Sequence, residues 1–213
     1  MSKKIFWIIG VIAICLIALI VLNGKGDKSA ASTIDYKDQP YIGKESAPVE
    51  IVEFGDYKCS HCAEFNESLL PYIQQQFVET GKAKLYFMNY AFIAPDSTTA
   101  AQFAETVYQQ LGNEKFWKFH ELLFANQTTK AGKENQMTED FLKAVLGQVA
   151  NKAETEKVVK AFEKNKAKDA FKKDMTTANK LKVQATPAIF IGGKEFKGKT
   201  MDDFNKMVDE ASK

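Results

Sequence analysis

Cys59-Ser60-His61-Cys62 is the stretch that decides how this chain is read, because it holds both thiols found outside the N-terminal apolar segment. In front of it runs Val49-Glu50-Ile51-Val52-Glu53-Phe54, a mostly apolar run that predicts a buried strand. Behind it Phe65, Leu69, Tyr72 and Ile73 recur at helical spacing. Cys59 is therefore expected where a strand feeds a helix N-terminus. Unpaired N–H groups and the helix dipole favour negative charge there, which makes Cys59 the candidate thiolate nucleophile. Cys62, three residues on, falls on the same helix face at ~5 Å between Cα atoms, within the span of a disulfide. His61, when protonated, and more weakly Lys58, would add positive charge beside the thiolate and push the couple towards an oxidant.

Working outward, the chain opens with Lys3 and Lys4 and then carries no charge from Ile5 to Leu22, long enough to span a membrane. The nearest small-residue cleavage pattern, Ser29-Ala30-Ala31, lies well beyond Leu22, so residues 5–22 read as an uncleaved transmembrane anchor. Ile14 is bulky where a lipid-modified cysteine wants a small neighbour, so Cys15 reads as membrane filler. Lys3 and Lys4 favour a cytoplasmic N-terminus at residues 1–4. Residues 23–46, rich in Gly, Ser, Lys and Asp without an apolar period, read as a linker. The remainder is long enough for one core.

The net charge is +2 and no arginine occurs, which removes the forked donor most used on phosphates and bases; nucleic acid is excluded as a partner. The lysine-rich stretch from Lys152 to Lys182 is interleaved with Glu154, Glu156, Glu163, Asp169 and Asp174 at helical spacing and reads as a solvated face. No phosphate loop, serine nucleophile elbow or repeat is present, and no cofactor is implied.

Taken in order, the first helix carries Pro71 in its interior and should kink there. Lys84 to Tyr90 reads as a second strand. From Ser97 the period is helical through Ala100, Phe103, Ala104, Val107 and Leu111; Gly112 stops that run, and Phe116, His120, Leu123 and Phe124 align on a second helix. His120, in an apolar stripe, reads as a core histidine with satisfied nitrogens. After a polar loop from Asn126 to Gln136, a helix starts near Thr138, and Asn151 to Leu181 forms one or two more. Pro187 to Ile191 reads as a strand, Gly192-Gly193 as a turn, Glu195 to Lys197 as its antiparallel partner, and Met201 to Ala211 as the last helix.

This succession resembles the thioredoxin fold, and the helical block between its halves resembles the DsbA family, most nearly its membrane-anchored BdbD-type members from Gram-positive bacteria. The likeness rests on Cys59-Ser60-His61-Cys62, on Glu53 earlier in the strand, on Phe116-Trp117 with His120 and Phe124, and on Thr186-Pro187. Ser60 stands where many members carry proline. The resemblance implies an α/β thioredoxin fold with an inserted all-helical domain: first half 47–95, helical insertion 96–182, second half 183–213. It also implies a cis Pro187 packed against the disulfide, Thr186 in contact with substrate, and Glu53 as a buried acid that exchanges a proton. A charged residue in an apolar strand is costly without such a use.

The implied activity is that of an extracytoplasmic protein disulfide oxidoreductase, held at the cell membrane by one span. It would donate its Cys59–Cys62 disulfide to unfolded secreted or surface proteins and be reoxidised by a quinone-linked membrane partner of the BdbC/DsbB kind. Two alternatives stay open. One is a thioredoxin-like reductase or isomerase on the same fold. The other is a copper- or zinc-binding protein using Cys59, Cys62 and His61, with His120 or a carboxylate as fourth ligand. An inert structural disulfide is a poor reading, since so small a loop constrains the unfolded chain little.

Overall fold

The computed structural model of the protein describes residues 34–127 and 136–213. The expected anchor at 5–22, with Cys15, and the expected linker up to residue 33 lie outside these residues. Among the described residues no helix is long and apolar enough to cross a membrane.

Five strands form one sheet in the order β1-β3-β2-β4-β5: β1 is Tyr41–Ile42, β2 Val49–Gly55, β3 Ala83–Asn89, β4 Ala188–Ile191 and β5 Lys194–Glu195. β2 and β3 run parallel, while β1 with β3, β2 with β4 and β4 with β5 run antiparallel. The central strands read as near-continuous apolar runs because both faces are covered. Val49 and Ile51 of β2 enter one core with Leu85, Phe87, Ile189 and Ile191, whereas Val52 and Phe54 enter a second with Tyr86, Met88 and Phe190. Gly55 ends β2 where a side chain has no room: a Cβ there would lie 2.6 Å from the Phe87 ring.

β1 corrects the reading of residues 23–46 as linker, at least from Ile34 onward. Ile34 is buried in the second core, β1 pairs Tyr41 with Tyr86 and Ile42 with Leu85, and Gln39 is buried, its side chain donating to Asp174 Oδ1 at 2.7 Å. Two strand residues between Pro40 and Gly43 are too short a run for an alternating pattern to show.

The helix after Cys59 begins as α1, Ser60–Glu64, widens into a π segment at Phe65–Leu69, tightens as α2, Leu70–Ile73, and widens again at Gln74–Val78. Pro71 sits in the first turn of α2. It has no N–H to give and its ring crowds the preceding turn, and the widened segment just before it accommodates both. The expected kink thus takes the form of a π segment.

The insertion consists of α3, Ser97–Ala125, α4, Glu139–Leu146, α5, Lys152–Glu163, and α6, Lys168–Lys180. α3 is broken at Gly112, which takes φ 79° and ψ −176°, so the expected stop is present as a break within one run. Thr138 caps α4 through its side chain, and Asn151 with Glu154 forms a capping box on α5. The last helix, α7, is Met201–Ala211, capped by Thr200 and Asp203 and anchored by Phe204 and Val208.

Gly112 has nothing within 4 Å of where a Cβ would stand, so alanine there meets no clash and suffers only the backbone cost. Gly112→Ala should therefore lower unfolding stability by about 1–3 kcal/mol in denaturant titration while leaving the slope of the transition unchanged.

Candidate functional site

Cys59 occupies the N-cap position of α1, with extended backbone at φ −80° and ψ 117°. Its N–H donates to the Asp56 carbonyl at 2.9 Å, and its own carbonyl accepts from Ala63 N–H at 3.2 Å and from the Gln127 side chain at 3.0 Å. Asp56 fixes the loop from both sides. One carboxylate oxygen accepts from Lys58 N–H at 2.9 Å, and the other accepts from Phe92 and Ile93 N–H at 2.8 Å each. The loops after β2 and β3 are thereby tied together beneath the first cysteine.

Both cysteines are free thiols and both are buried, Cys59 at 5% exposure and Cys62 at 0%. Their acidities nevertheless part. The Cys62 thiol donating to Cys59 is the largest influence on Cys59; the backbone N–H groups of Cys62 and His61 add to it, burial opposes it, and the pKa falls to about 5. For Cys62 the hydrogen bond to Cys59, burial and the charge of Glu53 all act upward, so its thiol stays protonated. The cis peptide Thr186–Pro187 presents its carbonyl on the other side, where it accepts from the Cys59 thiol at 3.2 Å.

Glu53 projects from β2 between Phe87 of β3 and Ile189 of β4, 1% exposed. Burial holds its carboxyl well above the usual carboxylate range, Asn66 opposes this, and Cys59 adds to it. The Asn66 amide donates to Cys62 O at 2.9 Å and reaches Glu53 Oε1 at 3.5 Å. Asn66 Oδ1 lies 2.8 Å from His120 Nε2, and His120 Nδ1 lies 3.0 Å from the Tyr57 hydroxyl. Burial drives the pKa of His120 down to about 3, so the imidazole is neutral, with Tyr57 donating to Nδ1 and Nε2–H donating to Asn66. The reading of His120 as a satisfied core histidine agrees with this geometry.

His61 is placed differently from the expectation. Its side chain is 78% exposed on the solvent side of the first turn and pairs with Glu64 at 3.5 Å. What His61 gives Cys59 is its backbone N–H. Lys58 Nζ lies 3.4 Å from Asp96 Oδ2. The metal alternative loses its ligands here, since His61 turns to Glu64 and both His120 nitrogens are engaged. Among the described residues no group of three His, Cys, Asp or Glu side chains could hold a metal ion.

With that geometry in view, comparison with known proteins is direct. A thioredoxin family model matches residues 35–210. The probable disulfide bond formation protein D of Bacillus cereus is 34% identical over 209 residues, covering 98% of this chain and 94% of the relative. Disulfide bond formation protein D of Bacillus subtilis is 34% identical over 173 residues, covering 81% and 76%. The chain belongs to the BdbD-like disulfide bond formation proteins of the thioredoxin family. The crystal structure of oxidised BdbD from Bacillus subtilis superposes with a TM-score of 0.76 at 32% identity, covering 83% of this chain and 94% of that one. The Chlamydia trachomatis DsbA structure, at TM-score 0.70 and 24% identity, shares the fold.

Within this BdbD-like frame, four contributors to the site go beyond the residues singled out from the sequence: Asp56, Tyr57, Asn66 and Gln127. Asn66 falls one turn after Cys62 on the same helix face, the one position among them that spacing could have marked.

Two substitutions separate the sources of Cys59 acidity. Cys62→Ala removes the principal donor and should raise the Cys59 pKa by at least about one unit. His61→Ala removes only an exposed imidazole beside Glu64 and should shift it less. Iodoacetamide alkylation of the reduced wild type against pH should show a midpoint near about 5 at Cys59 and no comparable labelling of Cys62.

Proposed function

We propose that the BdbD-like chain is an extracytoplasmic protein disulfide oxidoreductase in which Cys59 is the exchanging sulfur and Cys62 the one that stays protonated until the disulfide closes. The observation that carries the reading is the split acidity of the pair, with Cys59 lowered to about 5 and Cys62 raised. A sulfur that is a stable thiolate at neutral pH is a good leaving group, so a disulfide containing it is readily given away. Each pKa unit is ~1.4 kcal/mol, or about 30 mV towards oxidising. This favours a dithiol oxidase over a thioredoxin-like reductase.

In the donating direction a client thiolate attacks Cys59 Sγ of the Cys59–Cys62 disulfide. The bond to Cys62 breaks, and the electron pair leaves on Cys62 Sγ, which takes a proton from Glu53. A second client thiolate then attacks the client sulfur of the mixed disulfide, and Cys59 departs as thiolate. The client leaves oxidised and the enzyme reduced by two electrons. Glu53 supports this role by lying buried and readily protonated within electrostatic reach of both sulfurs, and the Thr186–Pro187 loop supports client contact through its carbonyl beside Cys59. Clients are unfolded secreted or surface proteins with free thiols. Phe92 and Ile93, 48% and 47% exposed in the loop tied to Asp56, offer apolar contact suited to such chains. Reoxidation falls to a quinone-linked membrane partner, and residues 5–22 hold the enzyme to the membrane with its catalytic domain outside.

The decisive test is thermal melting of both redox forms across pH. The folded pKa of Cys59 lies below its unfolded value of ~8.5, so the stability it contributes is full above ~8.5 and is lost as pH falls through about 5. Cys62 is raised, so its contribution is present below ~8.5 and fades at higher pH. The reduced form should melt above the oxidised form at neutral pH. The gap should widen from about pH 5, peak near ~8.5 and then shrink. A more stable oxidised form at neutral pH would overturn the oxidase reading, as would a potential in glutathione redox buffers as negative as the roughly −270 mV of a thioredoxin.

A further inference from the structure

Asn66 is bound to three different parts of the site at once. Its amide nitrogen faces Cys62 O at 2.9 Å and Glu53 Oε1 at 3.5 Å, while its amide oxygen faces His120 Nε2 at 2.8 Å. Reversing the amide would point N–H groups at an imidazole N–H and an oxygen at both the Cys62 carbonyl and the Glu53 carboxyl. The contact with the Cys62 carbonyl, which can only accept, would be repulsive. With the Asn66 oxygen facing it, His120 carries its proton on Nε2 and leaves Nδ1 to accept from the Tyr57 hydroxyl; the ring is fully buried, packed edge-on against Phe87 and Phe124.

We propose that Asn66, its amide orientation fixed by the Cys62 carbonyl and matched by His120, is the positioning residue that turns a donor towards Glu53 and so sets the pH at which Glu53 can take the Cys62 proton. This rests on the reading of Glu53 as proton acceptor. The groups around Glu53 leave Asn66 as its counterweight. The neighbouring titratable groups are Cys59 at the N-cap of α1 and Cys62 within it, Tyr57 of the preceding loop and the neutral His120 of α3; the β3 and β4 partners, Phe87 and Ile189, carry no charge. On its outer side Asn66 lines a surface cleft with Ala63, Glu67, Glu121, Phe124 and Gln127, whose charged members are carboxylates and cannot help Glu53 ionise. Burial pushes the Glu53 carboxyl up and the Asn66 hydrogen bond pulls it back. A donor to a carboxylate strengthens as the group takes its charge, so loss of Asn66 must raise the pH that ionisation requires.

The step at stake is closure of the disulfide. Cys62 gives its proton to the Glu53 carboxylate, its sulfur bonds to Cys59 Sγ, and the sulfur previously joined to Cys59 leaves with the electron pair. Oxidised glutathione serves as probe. The reduced full-length chain in detergent is mixed with it at saturating concentration, and quenched flow follows release of glutathione from the Cys59 mixed disulfide as a function of pH. Asn66→Ala leaves space open to the cleft and Asn66→Leu fills it, and circular dichroism identifies which of them keeps the fold. In the folded variants the midpoint of the release rate should move up by about one pH unit with its high-pH plateau retained, while Glu53→Gln should abolish the midpoint. An unmoved midpoint in the folded Asn66 variants, with the midpoint lost in Glu53→Gln, overturns the role of Asn66 alone. A midpoint that survives in Glu53→Gln overturns the reading of Glu53 on which it rests.

Discussion

The hydrogen bond from Cys62 to Cys59 is the interaction on which the chemistry of this protein depends. Burial does not distinguish the two sulfurs, which are 5% and 0% exposed and both penalised as anions. Direction distinguishes them. At the N-cap, Cys59 receives donors from Cys62 and from the backbone of the first turn. Cys62, one turn on, has used its proton on Cys59 and faces the carboxyl of Glu53. One α-helical turn therefore produces a leaving group and a reserve nucleophile from two identical side chains. A longer or shorter spacing would break the bond that sets them apart.

That turn holds its geometry because its flanks are fixed independently of the sulfurs. Asp56 binds the loops after β2 and β3 through four-point contact with Lys58, Phe92 and Ile93 amides and its own carbonyl to Cys59 N–H. Gln127, from the far end of α3, reaches the carbonyls of Tyr57 at 2.8 Å and Cys59 at 3.0 Å. The sheet supplies the floor, and Gly55 lets the Phe87 ring approach the end of β2. The site is thus carried on rigid strand ends, with the insertion clamping it from one side.

What the sequence made legible follows from what is local. The apolar runs of β2, β3 and β4, the caps at Thr138 and Asn151, the break at Gly112 and the position of Cys59 at a strand-to-helix junction are all encoded by neighbours in the chain. β1 escaped because two residues carry no period, and its place in the sheet is set by pairing with Tyr86 and Leu85. The π segments escaped because Pro71 announces a disturbance without its form. His61 acts on Cys59 through its backbone N–H and not its imidazole, which is exposed beside Glu64. The Tyr57–His120–Asn66 chain joins residues 54 and 63 positions apart, and no spacing rule reaches so far.

The placing of positive charge has a common logic. A cation under Cys62 would stabilise its thiolate as well, and the difference between the two sulfurs would shrink. The buried histidine nearest the pair is held neutral by burial among Phe87, Phe116 and Phe124, and reaches Cys62 and Glu53 only through the uncharged amide of Asn66. His61 is set against Glu64 in solvent, and Lys58 lies beside Asp96. Stabilisation of the Cys59 thiolate is left to hydrogen-bond donors, whose effect is short-ranged and directional. Fixed dipoles can favour one sulfur over another within a single turn, whereas a full charge at that distance would act on both.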